Sequence, residues 1–173
     1  MVAARTPNSG PKTSRSRISA RSGSARGPRA AIDWDAKLRS SLEPEIVTDR
    51  RRGDRLLLPT PLLIGTEIAA VPAGTTIRVS ELRDELARRF GADRTCPLMT
   101  GIFIKILSGA VADDLVHHRR PRWPMWRLTA DDGTLNPAWP LDPRYRAVRL
   151  REEGVRLGRH NRHWQVLPAR RVP

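Results

Sequence analysis

A chain of 173 residues has room for one domain with its own core, plus tails. Its 32 Lys and Arg against 18 Asp and Glu leave a formal net charge of +14, which draws polyanions by sequence-independent, salt-sensitive attraction. The single cysteine, Cys96, excludes an internal disulfide and any Cys-pair metal site, and no apolar run approaches the ~20 residues needed to span a bilayer.

Double-stranded DNA is the partner this charge predicts, with no membrane contact. Arginine outnumbers lysine 29 to 3, a bias that genome composition also produces, so charge alone does not specify DNA. The histidines, His117-His118 and His160-x-x-His163, have no carboxylate or thiol at ligand spacing, and neither a metal nor another cofactor is expected. The amino terminus lacks the apolar segment of a secretory signal, and a reducing, cytoplasmic setting fits one cysteine. A monomer associated with the bacterial nucleoid is the expectation.

Residues 1–31 carry seven basic residues and no acid among Ser, Gly, Pro and Ala, which predicts a disordered basic tail. It would add non-specific affinity for DNA; an organelle transit peptide and an inert solvated tail are the other readings. Residues 32–58 form an arm, with Trp34, Leu38, Leu42, Ile46 and Val47 spaced as a short amphipathic piece before the charged run Asp49 to Arg55. Residues 59–168 form the domain.

Thr60-Pro61 offers an N-cap and an N1 proline for a helix ending near Ala70, before Val71-Pro72-Ala73-Gly74. The β-branched Thr75 to Val79 stretch follows, and Ser80 caps a second helix with Leu82, Leu86 and Phe90 on one face and Gly91 as its stop. Pro97 opens a third helix, with Leu98, Ile102, Ile106 and Ala110 along one stripe and Thr100, Lys105 and Ser108 off it. Two helices so joined predict a helix-turn-helix, or any small helical bundle. A strand from Arg122 to Leu128 and the turn Asp131-Asp132-Gly133-Thr134 would make a hairpin wing. Asp142-Pro143 starts a last helix, Arg144 to Glu153, stopped by Gly154. Val155 to Leu157 and Trp164 to Leu167, joined by a basic turn, would close as a small hairpin. The fold class is mainly α with small β hairpins, a winged helix-turn-helix.

The stretch Arg122-Trp123-Pro124-Met125-Trp126-Arg127-Leu128 concentrates two indoles and two guanidiniums, a charged stacking surface suited to bases and phosphates. Tryptophans of a half-buried strand completing the core are the equal alternative.

Taken in order, Ala70-Val71-Pro72-Ala73-Gly74, Leu98-Met99-Thr100-Gly101, Pro124-Met125-Trp126-Arg127-Leu128, Asp131 to Leu135 and Leu150 to Gly154 resemble the DNA-binding domain of the O6-alkylguanine-DNA alkyltransferase family. The likeness spans about Pro61 to Val155 and is greatest to the alkyltransferase-like branch that lacks the reactive cysteine. It implies the fold of that family's C-terminal domain and a lesion pocket at Pro124, Met125, Trp126 and Arg127, with Trp123 and Trp139 beside it. Such a pocket would hold an alkylated base or be filled by its own side chains. DNA contacts are expected from Thr100, Lys105, Arg78, Arg119, Arg120 and Arg122.

The departures from the family decide the chemistry. Its nucleophilic cysteine and neighbouring histidine match Met125 and Trp126, which have no thiolate and no base, so no catalytic residue is expected. Its intercalating arginine and phosphate-rotating tyrosine match Leu98 and Val79. The resemblance therefore implies a non-enzymatic sensor of alkylated or damaged bases that hands them to other repair proteins. The alternatives are a general winged-helix DNA-binding or regulatory protein, an enzyme using Cys96 or Asp113-Asp114, and a protein-interaction module using the Trp-rich face.

Overall fold

The computed structural model describes residues 32–39 and 43–168; the expected basic tail and Leu42 lie outside the described residues. All described residues belong to one compact unit that begins at Ile32. Among them are five α-helices, α1 (Trp34–Arg39), α2 (Pro61–Ala70), α3 (Val79–Phe90), α4 (Pro97–Val116) and α5 (Pro143–Glu152), with short strands between. The helix-rich class with small sheets is thus observed.

The amphipathic piece expected from Trp34 to Val47 splits in two. Pro44 cannot continue a helix, and the β-branched Ile46-Val47-Thr48 favours extended backbone. Strand β1 (Glu45–Thr48) pairs antiparallel with β2 (Arg55–Leu58), and β2 pairs parallel with β4 (Arg94–Thr95). The charged run between β1 and β2 is their turn: Gly53 has φ +74°, the Asp49 carboxylate accepts from Arg51 N–H at 2.8 Å, and Arg94 bridges to both Asp49 and Asp54. Leu57 is fully buried, and with Leu38 it joins the core made by α2, α3 and α4.

Thr60 caps α2 by accepting Leu63 N–H at 3.2 Å. Helix α3 is capped two residues before the expected Ser80: Arg78 is the N-cap, the Glu81 carboxylate accepts Arg78 N–H at 2.8 Å, and Ser80 N–H donates to Asp131 at 2.7 Å. Gly91 ends α3 with φ +63°.

Helix α4 departs from the predicted stripe. Ile106 and Ala110 are buried, whereas Leu98 is 71% and Ile102 44% exposed. The helix is covered on several sides in its second half, where α1 and α2 pack and Trp34 lies against Gly109, and its first turns project beyond that cover. A helix buried on several sides carries no single apolar face to read.

The predicted wing is corrected. Pro124 interrupts the expected strand, and Met125–Arg127 forms a 3₁₀ turn closed by Arg127 N–H on the Pro124 carbonyl at 2.9 Å. Strand β5 (Leu128–Thr129) then pairs parallel with β3 (Ile77–Arg78) instead of turning back on itself. The Asp131–Thr134 turn leads to the C-terminal hairpin, β6 (Leu157–His160) and β7 (His163–Val166), through Leu135 N–H on Trp164 O at 2.8 Å.

Two apolar clusters result. The larger holds the α2, α3 and α4 faces with Met125 and Trp139; the smaller holds Trp126, Leu135, Ala147 and Leu150 under Tyr145, Leu157 and Trp164. If the β1–β2 hairpin is integral to the fold, Leu57→Ala lowers the unfolding free energy by about 2–5 kcal/mol, the usual cost of emptying a core leucine site. Chemical denaturation measures it, and a loss below about 1 kcal/mol would make the hairpin an appendage.

Candidate nucleic-acid interface

The 3₁₀ turn at Met125–Arg127 places consecutive side chains in different surroundings. Met125 is fully buried in the larger cluster, Trp126 is 7% exposed in the smaller one, and Arg127 reaches Glu153 at the end of α5. The Glu153 carboxylate accepts four kinds of N–H: Trp126 Nε1 at 2.7 Å, Arg127 Nε at 3.0 Å and Nη2 at 2.9 Å, and Gly74 backbone N–H at 3.1 Å. Arg127 Nη1 also donates to the Val71 carbonyl at 2.6 Å. Three segments far apart in sequence, Val71 to Gly74, Pro124 to Leu128 and Leu150 to Gly154, therefore meet at one carboxylate. Gly74 is required there, since it has φ +80° and a Cβ would lie 2.9 Å from the Glu153 carbonyl.

Burial pushes the Glu153 pKa up, but the hydrogen bonds from Arg127, Trp126 and Gly74 outweigh it and hold the carboxyl below its usual range.

Beside this junction opens a cleft of about 720 Å³. Trp126 and Tyr145 meet edge to face in its wall, with ring centres 6.2 Å apart, and the Arg149 guanidinium lies 4.8 Å from the centre of the Trp126 ring. Arg120, Pro121, Arg122, Pro124, Arg127 and Glu153 complete the lining. Arg120 is exposed and meets no carboxylate among the described residues.

Of the residues expected around a lesion pocket, Pro124, Trp126 and Arg127 line this cleft. Met125 does not, because its side chain fills the core. Trp139 does not either: it is 8% exposed and lies under the buried Arg146, whose guanidinium is 4.6 Å from its ring centre. Trp123 packs on Gly65, where a Cβ would come within 2.6 Å of the indole nitrogen, and it lies outside the lining. Large aromatics carry the most apolar area in the chain, and all three pack into the apolar clusters, Trp126 alone of them also lining the cleft.

The expected DNA contacts are spread out. Thr100 is excluded, since it is fully buried and its hydroxyl donates to the Cys96 carbonyl at 2.8 Å. Lys105 is exposed on α4, away from the cleft lining, and Arg78 is exposed beside a separate recess with Thr129 and Gln165. Arg119 and Arg122 both bond to Asp114, which is 2% exposed; Arg119 also bonds to Asp113 and Arg122 to Asp35. These two cations and three carboxylates neutralise one another locally, and Asp113-Asp114 serves as an anchor for arginines. Arg120, between them, is the cation left to face a ligand.

Sequence reasoning missed Tyr145, Arg149 and Glu153. They stand at i, i+4 and i+8 along α5 and its end, a periodicity that marks one helix face. Among the described residues no cluster of His, Cys, Asp and Glu could hold a metal, and no helix is long and apolar enough to cross a membrane.

Because the folded-state pKa of Glu153 is depressed, its stabilisation is present above the unfolded pKa of about 4.3 and is lost as pH falls through the folded value. Glu153→Gln is expected to cost about 3 kcal/mol at pH 7, the lower end for breaking a buried ion pair. The difference from wild type shrinks below about pH 4, where both chains converge. Denaturant midpoints across pH 2–7 check this, and parallel curves would remove Glu153 from its role as junction.

No protein-family model matches the chain, and no curated protein matches it. Two solved structures are similar to it: the S. pombe ATL protein in complex with DNA, at 18% identity and a TM-score of 0.39, and S. pombe Atl1 in complex with damaged DNA containing O6-carboxymethylguanine, at 17% identity and a TM-score of 0.43. Each comparison covers 62% of this chain and 87% of the other.

Proposed function

We propose that the chain is a non-enzymatic DNA-binding protein that senses alkylated or otherwise damaged bases in the cleft between Trp126, Tyr145 and Arg149. The observation that carries this reading is the cleft itself: an aromatic wall, the Arg120 guanidinium left without a carboxylate to meet an anion, and a rigid floor tied at Glu153. Bases stack on aromatic rings and on guanidinium planes, and arginine also meets the phosphates on either side of an everted nucleotide. Leu98 and Ile102, exposed on the first turns of α4, offer the kind of apolar wedge that other proteins insert between base steps.

The chemistry at hand is recognition without transfer. Where the resembling family places its thiolate, this chain has Met125 packed in the core, and where it places the imidazole, Trp126 donates its indole N–H to Glu153. A thioether has no proton to lose and an indole is no base at neutral pH. Asp113 and Asp114 are held by arginines, and Cys96, half-buried at the start of α4, lies outside the cleft lining.

A competition titration at near-physiological salt tests the reading, comparing one duplex with and without a single O6-alkylguanine. Wild type is expected to bind the modified duplex more tightly. Tyr145→Ala and Arg149→Gln are expected to lose most of that preference, on the order of 1–3 kcal/mol for one stacked base. These positions serve better than Trp126, whose truncation also empties the core. Equal binding to both duplexes that collapses with salt would leave a general DNA-binding protein, and alkyl label moving onto the chain would make it an enzyme.

A further inference from the structure

From Gly154 to Pro173 the sequence contains five arginines, two histidines and no acidic residue. Within this segment the β6–β7 hairpin exposes Arg156, Arg159 and Arg162, none of which meets a carboxylate among the described residues. It stands apart from the cleft: none of these arginines lines it.

The hairpin is stiff. Asn161 and Arg162 form a two-residue turn with φ of 45° and 68°, the mirror-image geometry that matches strand twist. Trp164 faces Arg159 across the ladder, and its ring centre is 3.8 Å from that guanidinium and 4.4 Å from Arg151 of α5. Val166 N–H donates to Gly133 at 3.0 Å and the Gln165 amide to Asp132 at 2.7 Å, so the ribbon is bonded to the Asp131–Thr134 turn as well as packed on the smaller cluster. At its side is a recess of about 250 Å³ bordered by Arg144, Arg159, Arg162 and Trp164, with Asp142 there spent on capping α5.

We propose that this hairpin is a second contact with duplex DNA, in which Arg156, Arg159 and Arg162 hold backbone phosphates whatever the bases. The duplex as partner rests on the function proposed above; the site does not. Fixed cations held apart without counter-charges repel one another, and a polyanion that releases condensed counterions relieves this. The contact reads charge and not bases, because Trp164 is already engaged by two guanidiniums and offers no open stacking platform. A lipid surface fits less well, since such binding adds apolar insertion to charge, and no large hydrophobic side chain is exposed between 154 and 168.

The test uses the full chain, as wild type, Arg156→Gln/Arg162→Gln and Arg156→Lys/Arg162→Lys; neither position stacks on Trp164, and thermal unfolding confirms that each variant is folded. Affinity for the modified and unmodified duplex is measured across a salt series. The glutamine variant is expected to weaken both by the same factor and to flatten the slope of log K against log salt by roughly 2, about 1 per phosphate contact, with lysine restoring it. An unchanged slope overturns the proposal, as does a loss confined to the modified duplex. Wild type that fails to discriminate the duplexes while the slope still responds would sink lesion sensing and leave the hairpin contact standing. Capture of wild type by phosphatidylserine vesicles in preference to duplex, lost in the glutamine variant, would assign the cations to a membrane and overturn it.

Discussion

The carboxylate of Glu153 is the constraint on which the rest of the site depends. It lies at the end of α5, 11% exposed, and gathers the indole of Trp126, the guanidinium of Arg127 and the backbone of Gly74. A partly desolvated carboxylate with this many donors is costly to move, because any displacement leaves an arginine or the acid itself unpaired. The turn after α2, the 3₁₀ turn and the end of α5 are therefore held in one geometry, and the cleft beside them is pre-formed.

Charge is distributed on a second principle. The acids that the chain does carry are spent on particular arginines: Asp114 on Arg119 and Arg122, Asp49 and Asp54 on Arg94, Glu153 on Arg127. These pairs are structural, tying the charged turns to the core. Among the described cations without an ion pair are Arg120 at the cleft and Arg156, Arg159 and Arg162 on the C-terminal hairpin, whose field reaches solvent.

The aromatics divide in the same way. Trp34, Trp123 and Trp139 pack with the larger cluster, while Trp126 and Trp164 belong to the smaller one. Arg149 and Arg151, on α5, reach those two rings, so one helix links the cleft to the hairpin. A Trp126 ring braced by Arg149 is rigid, which lowers the cost of ordering the cleft wall around a ligand.

Local chemistry made much of this legible in advance. Thr60-Pro61, Pro97 and Asp142-Pro143 mark the starts of three helices, Gly91 marks a stop, and the basic turn between Leu157 and Trp164 marks a hairpin, because capping and turn preferences act within a few residues. The segments that build the cleft were also legible as pieces, with Trp126 and Arg127 among them. Their partners were not. Whether Met125 and Trp139 face a ligand or the core, whether Thr100 meets DNA or bonds Cys96, and which arginines keep their charge depend on what packs opposite. The first half of α4 and the lost wing differ from expectation for the same reason: burial on several sides erases a single apolar stripe, and β5 found its partner in β3, some 51 residues earlier along the register Ile77↔Leu128. Sequence by itself determined the basic charge, the starts of α2, α4 and α5 and the order of the motifs, all set by residues near one another in the chain. Only the tertiary structure decided which side chains share the Glu153 junction and which remain free for a phosphate or a base, because desolvation and pairing are properties of neighbours in space.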